Sequence, residues 1–148
     1  MGNSEELQVI NDLVVEFAVL DWRQSRAFYT ETLGFTPLFE RHEDKFSFLA
    51  IGAAQLMIYE ANRERNLTAT DAPLVRPLGH GVNVQITVPD LPSLLSRLDA
   101  AGAPLALPLE ERSYRTGPVT RHVRQFAVAD PDGYLLRFSK VLGISAAS

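Results

Sequence analysis

The sequence contains one strand–turn–helix pattern twice, about 69 residues apart, and this repetition constrains the fold more than any other feature. In the first copy an apolar-alternating strand ends at Asp21, and the helical run that follows stops at Gly34. In the second copy the strand ends at Asp90 and the helical run stops at Gly102. Asp is favoured at a helix N-terminus because its side chain accepts backbone N–H bonds, and Gly is favoured just beyond the C-terminus. The repeat therefore predicts two pseudo-symmetric half-domains with a cavity between them.

Strand patterns fill the rest of each half in the same order. The prediction is an α+β fold with two βαβββ modules, which form cup-shaped mixed β-sheets with the helices on their outer face. The chain is expected to be a single domain, 1–148, with modules at about 12–60 and 82–140 and a linker at 61–81. The predicted strands are 12–20, 36–42, 45–51, 54–60, 82–88, 104–108, 123–129 and 134–140, and the predicted helices are 22–33 and 91–101.

Two segments have no strand or helix pattern. Residues 1–11 are polar and are expected to form a loose arm. The segment Leu109–His122 is rich in Arg and is expected to be an unstructured loop that overhangs the cleft. The arginines of this region suit a small anionic or neutral aromatic ligand better than a cationic one.

Composition excludes several function classes. The net charge of −4 disfavours nucleic acid, because phosphate binding needs a basic face. The chain has no Cys, so disulfides, thiolate nucleophiles and Cys-based metal sites are excluded. No apolar run approaches the roughly 18 residues that a membrane helix needs, and Met1–Glu6 lacks the pattern of a signal peptide. A cytoplasmic protein is therefore expected, with no membrane partner.

Two motifs add to the repeated modules. Phe28-Tyr29 is followed by Leu33-Gly34-Phe35, and the stretch from Phe126 to Phe138 contains Asp130-Pro131-Asp132-Gly133. With these motifs, the chain resembles the vicinal oxygen chelate superfamily over about residues 12–140. That superfamily includes glyoxalase I, extradiol dioxygenases, fosfomycin-resistance enzymes and bleomycin-resistance proteins. The segments 55–60 and 135–138 are most similar to the bleomycin-resistance branch, in which an acidic, aromatic cleft at the dimer interface sequesters a cationic drug.

Side-chain alternation along the strands predicts which residues face the inside of each cup. The apolar positions of one parity are expected to pack under the helices: Leu13, Val15, Phe17, Val19, Leu56, Ile58, Val82, Val84, Ile86, Val88, Leu136 and Phe138. The positions of the other parity are expected to face the cup: Val14, Glu16, Ala18, Gln55, Met57, Tyr59, Asn83, Gln85, Thr87, Leu135 and Arg137. Glu16 and Arg137 are expected to lie within reach of each other, either as a structural pair or as ligand contacts.

The resemblance also implies where a metal ion would sit. In the family's enzymes four inward positions, usually His, Glu, His and Glu, hold a divalent cation. These positions correspond here to Val14, Met57, Asn83 and Arg137. Such cations need imidazole or carboxylate ligands, and Arg adds a permanent positive charge, so neither a metal nor a cofactor is expected. The three histidines, His42, His80 and His122, are expected at surface or loop positions without metal-ligand spacing.

Aromatic residues near the predicted cleft favour ligand binding, since flat rings give a large contact area with little loss of entropy. The predicted ligand-binding residues are Glu16, Phe46, Phe48, Met57, Tyr59, Asn83, Gln85, Tyr114, Phe126 and Arg137. The favoured function is a metal-free, homodimeric binder of bleomycin-resistance type that sequesters a bleomycin-like or other aromatic ligand. The alternative is a glyoxalase- or dioxygenase-like lyase or isomerase with a divergent active site. A protein-interaction module has no specific feature in its favour.

Overall fold

The computed structural model describes residues 9–62 and 66–147, so the segment Met1–Glu6 and most of the expected N-terminal arm lie outside the described residues. In chain order the elements are β1 Val15–Val19, α1 Trp22–Ala27, a π-helical segment Phe28–Thr32, β2 Thr36–Arg41, a 3₁₀ turn His42–Asp44, β3 Phe46–Ile51, β4 Ala54–Glu60, β5 Asn83–Thr87, α2 Leu91–Ala100, β6 Leu105–Thr116, β7 Val119–Ala129 and β8 Leu135–Ala146. None of the helices described is long and apolar enough to cross a membrane.

The strands form two four-stranded sheets with the same topology. Sheet A has the order β1-β4-β3-β2 and sheet B has the order β5-β8-β7-β6. The first and last strands of each module pair in parallel, and the other neighbours pair antiparallel. The predicted α+β fold with two βαβββ modules is therefore confirmed. In each sheet the first strand of the module, β1 or β5, lies at one edge.

Both helices begin where the sequence predicts. The Asp21 side chain accepts a hydrogen bond from the Gln24 backbone N–H at 3.1 Å, and Asp90 accepts one from the Ser93 backbone N–H at 3.1 Å. These bonds satisfy backbone donors that the first turn of a helix leaves free. The first helix is less regular than predicted, because it changes to π-helical geometry at Phe28 and keeps that geometry up to Thr32.

One hydrophobic core lies between the helices and the facing sides of both sheets. Its fully buried members include Leu56, Ile58, Leu136 and Phe138, all of the parity predicted for helix packing. Two residues expected in this set were placed wrongly. Leu13 is 89% exposed and Val82 is 54% exposed. Each lies before the first residue of its strand and so outside the paired part of the sheet.

The predicted Arg-rich loop was wrong, because the segment forms most of a long hairpin. Strand β6 continues to Thr116 and β7 starts at Val119, so only Gly117 and Pro118 form the turn. Gly117 has φ 67°, a conformation favoured for Gly at the first turn position. Polar side chains pair across the two strands of this hairpin, for example Arg124 with Glu111 at 2.6 Å. The sequence of the hairpin therefore has no apolar alternation. His122 accordingly lies on a strand rather than in a loop.

The turn before β8 joins the two modules. Asp130 is buried, and its Oδ2 accepts a hydrogen bond from the hydroxyl of Tyr29 in the first module at 2.7 Å. Its Oδ1 accepts from the backbone N–H groups of Asp132 and Tyr134, both at 2.9 Å. Burial raises the pKa of Asp130 to about 6 despite these bonds. Tyr134 stacks on Phe17 with ring centroids 4.1 Å apart.

Asp132 ties the same turn to the first module and to the linker. It is fully buried, and Arg76 donates to its Oδ1 from Nε at 3.0 Å. The backbone N–H of Leu20 and the hydroxyl of Ser25 donate to its Oδ2 at 3.3 Å and 3.4 Å. The orientation of the two modules in one chain thus depends on two buried carboxylates.

Candidate ligand-binding concavities

The inner face of each sheet, opposite the helices, forms an open concavity. The concavity of sheet A has a volume of about 600 Å³, and that of sheet B about 420 Å³. Volumes of this size suit small organic ligands. We call the first the acidic concavity, lined by Glu16, Arg41, Glu43, Asp44, Lys45, Phe46, Tyr59, Glu60, Asn62 and Leu67. We call the second the basic concavity, lined by Gln85, Thr87, Tyr114, Thr116, Arg121, Val123, Gln125, Arg137, Ser139 and Val141.

The acidic concavity has four carboxylates against two cationic side chains. Lys45 donates to Glu60 at 2.9 Å, and Arg41 donates to Asp44 at 2.9 Å. The pKa of Glu60 is lowered, first because the carboxylate accepts the backbone N–H of Trp22 and then because Lys45 lies beside it. The acidic concavity therefore presents negative charge.

Aromatic rings form the apolar part of the same concavity. The Arg41 guanidinium lies 4.1 Å from the centroid of the Phe46 ring. The Tyr59 hydroxyl accepts a hydrogen bond from the Leu67 backbone N–H at 2.9 Å, as a phenol in such a site requires. A ligand in this concavity would meet an aromatic wall beside carboxylates.

The basic concavity is organised around Arg137. Its Nη1 donates to Gln125 Oε1 at 2.9 Å, and its Nε donates to Asn83 Oδ1 at 3.3 Å. The amide nitrogen of Gln125 donates in turn to Glu110 Oε1 at 2.9 Å and to the Tyr114 hydroxyl at 2.8 Å. The concavity lining contains two arginines and no carboxylate. It therefore presents positive charge.

Of the predicted ligand-binding residues, the structure brings together two groups. Glu16, Phe46 and Tyr59 line the acidic concavity. Gln85, Tyr114 and Arg137 line the basic concavity, and Asn83 contacts Arg137 from the neighbouring strand. Met57 lies beside Glu16 in the pairing of β4 with β1.

Two of the predicted aromatic contacts do not face a ligand. Phe126 is fully buried in the core and stacks on Phe138, so its assignment to the cup was wrong. The cause is strand parity, since Gln125 holds the inward position next to it. Phe48 is only 1% exposed because the ring of Phe39 stacks on it at 4.9 Å. A ligand could reach Phe48 only after Phe39 had moved.

The predicted contact between Glu16 and Arg137 does not occur within one chain. Glu16 lines the acidic concavity of sheet A, whereas Arg137 lines the basic concavity of sheet B and binds two amides. The prediction assumed that both modules of one chain close around a single cup. The structure gives the chain two separate half-cups instead.

The residues at the family's metal positions do not fit a divalent cation. Met57 and Arg137 lie on the inner strands of their sheets, Asn83 binds the Arg137 guanidinium, and Val14 immediately precedes β1. A thioether, an amide, an aliphatic chain and a guanidinium do not make a ligand set for Zn²⁺, Mn²⁺ or Fe²⁺. Within residues 9–62 and 66–147, no group of three or more His, Asp or Glu side chains could hold a metal ion.

Sequence reasoning missed Gln125, Arg121 and Ser139 as lining residues. Gln125 could have been found from the buried Phe126 next to it, because neighbouring residues of a strand face opposite sides of the sheet. Arg121 could not, because the segment that contains it has no apolar alternation and did not look like a strand.

Comparisons with known proteins agree with this fold. The model of the glyoxalase/bleomycin resistance protein/dioxygenase superfamily matches residues 13–138. A comparison with curated proteins found no match. The chain is similar to the solved structure of TioX from Micromonospora sp. ML1, with 25% identity and a TM-score of 0.66 over 88% of this chain and 98% of that one.

Two further solved structures are similar over most of their length. A glyoxalase/bleomycin resistance protein from Catenulispora acidiphila has 25% identity and a TM-score of 0.56, over 87% of this chain and 96% of that one. A glyoxalase/bleomycin resistance protein/dioxygenase from Alicyclobacillus acidocaldarius has 19% identity and a TM-score of 0.61, over 88% and 91%, and shows likeness of fold alone. On the family match and the paired βαβββ modules, the chain belongs to the glyoxalase/bleomycin resistance protein/dioxygenase superfamily.

Proposed function

We propose that the protein is a metal-independent small-molecule binder of bleomycin-resistance type, which sequesters an antibiotic or similar aromatic ligand. The observation that carries this proposal is the replacement of the metal-binding positions by Val14, Met57, Asn83 and Arg137. Arg137 holds a fixed positive charge at one of these positions, and Asn83 binds that charge. These four positions therefore lack the groups that metal-assisted chemistry needs.

The linings support binding of an aromatic ligand. The acidic concavity offers Phe46, Tyr59 and several carboxylates, a combination that suits an aromatic ligand with a cationic group. The basic concavity offers Tyr114 with amide and hydroxyl groups. Catalysis finds less support, because no nucleophile–base pair lies among these lining residues.

We also propose that a second copy of the chain completes each cup. The acidic concavity of one copy would face the basic concavity of the other, so that opposite charges meet. Strands β1 and β5 lie at sheet edges, and the exposed Leu13 and Val82 stand next to them. A C₂ dimer would cover both features. A cytoplasmic location remains a prediction of the sequence.

A ligand screen tests the proposed function. Wild-type protein in EDTA is screened by thermal shift against bleomycin and a panel of small aromatic compounds. We expect at least one compound to raise the Tm in EDTA, and Glu16→Gln to weaken the response to cationic compounds. Asp99→Asn, on the outer helix α2, is the matched control and should respond as the wild type does. Stabilisation only in the presence of a divalent metal, or turnover of a bound compound, would favour the enzyme alternative.

The dimer is tested separately by analytical ultracentrifugation or light scattering at micromolar concentration. We expect a mass of two chains. A monomer at that concentration would refute the composite cup.

A further inference from the structure

We propose that the basic concavity binds an anionic group of the ligand, a carboxylate or phosphonate whose oxygens accept hydrogen bonds from Arg137. This inference rests on the proposed small-molecule binding and specifies the chemistry of one half of the cup.

Arg137 is held by neutral partners that leave its charge unbalanced. It donates from Nη1 to Gln125 and from Nε to Asn83, and both acceptors are amide oxygens. Among the described residues no carboxylate forms an ion pair with it. The guanidinium has five N–H donors, so donors remain for a further acceptor. An oxyanion is the group that such a planar donor fork binds best.

Several other arginines of the chain differ from Arg137, because each of them pairs with a carboxylate. Arg26 pairs with Glu40 at 2.5 Å, Arg41 with Asp44 at 2.9 Å and Arg124 with Glu111 at 2.6 Å. The charge of each of these three arginines is balanced within the chain. Arg137 is half-buried on the inner face of sheet B and has no carboxylate partner among the described residues, so its charge is available to a ligand.

Gln125 fixes the direction in which Arg137 points. It is only 2% exposed, and its amide nitrogen donates to Glu110 and to Tyr114. These bonds turn Gln125 Oε1 towards Arg137, so the guanidinium is oriented before any ligand arrives. Glu110 does not contact Arg137 directly but is linked to it through this amide, and it also lies 3.7 Å from the Arg112 guanidinium.

The side chains around Arg137 suit a ligand that carries an anionic group on an apolar framework. Arg121 adds a second positive charge to the lining, while Thr87 and Ser139 add hydroxyl donors. Val123 and Val141 give the same lining an apolar side. A volume of about 420 Å³ accommodates a small aromatic acid.

Four probes of similar shape test the inference on the wild-type protein. Benzoate, phenylphosphonate, benzamide and benzylamine are titrated at constant ionic strength, and binding is followed by ¹H–¹⁵N NMR, including the arginine Nε–H signals. We expect benzoate or phenylphosphonate to bind and to shift the Arg137 Nε–H signal. Benzamide should bind about tenfold more weakly, which corresponds to about 1.4 kcal/mol, and benzylamine should not bind at this site. The ratio of benzoate to phenylphosphonate affinity distinguishes a carboxylate from a phosphonate ligand.

Variants assign the effect to one residue. Arg137→Gln should remove the preference for anions, and Arg137→Lys should keep part of it. Arg124→Gln, which alters an arginine already paired with Glu111 and outside the lining, should leave the preference unchanged. If Arg137→Gln does not fold, the charge series on the wild type still decides the question.

The outcomes separate this inference from the proposed function. Equal affinity for benzoate, benzamide and benzylamine overturns the anion site but leaves small-molecule binding intact. A dimer in which Glu16 of the second copy neutralises Arg137 would likewise abolish binding of benzoate and overturn the anion site. Arg137-dependent binding of benzoate without any stabilising compound in the ligand screen supports the anion site and refutes sequestration of a larger aromatic ligand.

Discussion

The carboxylate of Asp130 gives the protein a pH-dependent stability that can be measured directly. The group is buried between the modules, and burial raises its pKa from 3.8 to about 6. Since the native state binds the proton more tightly than the unfolded chain, the native state gains stability as the pH falls through 6 towards 4. At pH 7.5 the carboxylate is ionised, and the native state is then less stable than with Asp130 protonated, although Tyr29 and two backbone N–H groups donate to the carboxylate.

The size of the effect follows from the two pKa values. With 3.8 in the unfolded chain and about 6 in the native state, linkage gives about 2 kcal/mol between pH 7.5 and pH 4.5. Other carboxylates oppose this trend, because the pKa values of Glu40 and Glu60 are lowered in the native state. The free energy of unfolding of the wild type alone therefore does not isolate the contribution of Asp130.

The variant Asp130→Asn isolates the contribution of Asp130 to the pH dependence. The variant keeps an oxygen acceptor but has no proton to gain, so the difference in unfolding free energy between wild type and variant should change by about 2 kcal/mol in favour of the wild type on acidification from pH 7.5 to 4.5. Urea unfolding at several pH values, followed by Trp22 fluorescence, measures this difference. Asp99→Asn, which removes an exposed carboxylate, controls for the loss of one charge. A difference that stays constant with pH would refute the argument that burial dominates at Asp130.

Three further predictions concern single residues. Tyr29→Phe removes the hydroxyl that donates to Asp130 at 2.7 Å and should cost about 1–3 kcal/mol in urea unfolding at neutral pH; an unchanged midpoint would contradict the role of this bond. Gly133→Ala should destabilise by about 2 kcal/mol or more, because φ is 97° and the added Cβ would lie 2.7 Å from the Pro77 Cβ; wild-type stability would contradict this reading of the turn. Arg137→Glu should still bind no Zn²⁺ or Mn²⁺ by calorimetry, since one added carboxylate does not make a ligand set; stoichiometric uptake would show that the inner face was assigned wrongly.

The sequence predicts the regular parts of this fold because local signals and tertiary packing agree there. Asp21 and Asp90 cap their helices, and the apolar alternation of β4, β5 and β8 matches the buried core. Glu16 and Arg137 line the two concavities for the same reason. In those strands one face is buried, and burial leaves a period-two pattern in the sequence.

The remaining features of the structure could not be predicted from the sequence, because the contacts that determine them are polar or join residues that are distant along the chain. The β6–β7 hairpin is built from cross-strand pairs such as Glu111 with Arg124, which leave no apolar period. The separation of the acidic and basic concavities depends on how the modules pack, and that packing rests on buried bonds such as the one between Tyr29 and Asp130. Phe126 was assigned to the cup although it lies in the core, because successive residues of a strand face opposite sides of the sheet and an error of one position reverses the assignment.

The central claim is that the cup binds its ligand without a metal ion, and metal content tests it most directly. Protein purified without denaturation and dialysed is analysed by inductively coupled plasma mass spectrometry for Zn, Ni, Mn and Fe. The same sample is then titrated, with and without EDTA, with the best compound of the ligand screen. We predict metal far below one ion per chain and the same affinity in both titrations. Near-stoichiometric metal that survives dialysis, together with binding that EDTA abolishes, would contradict the account.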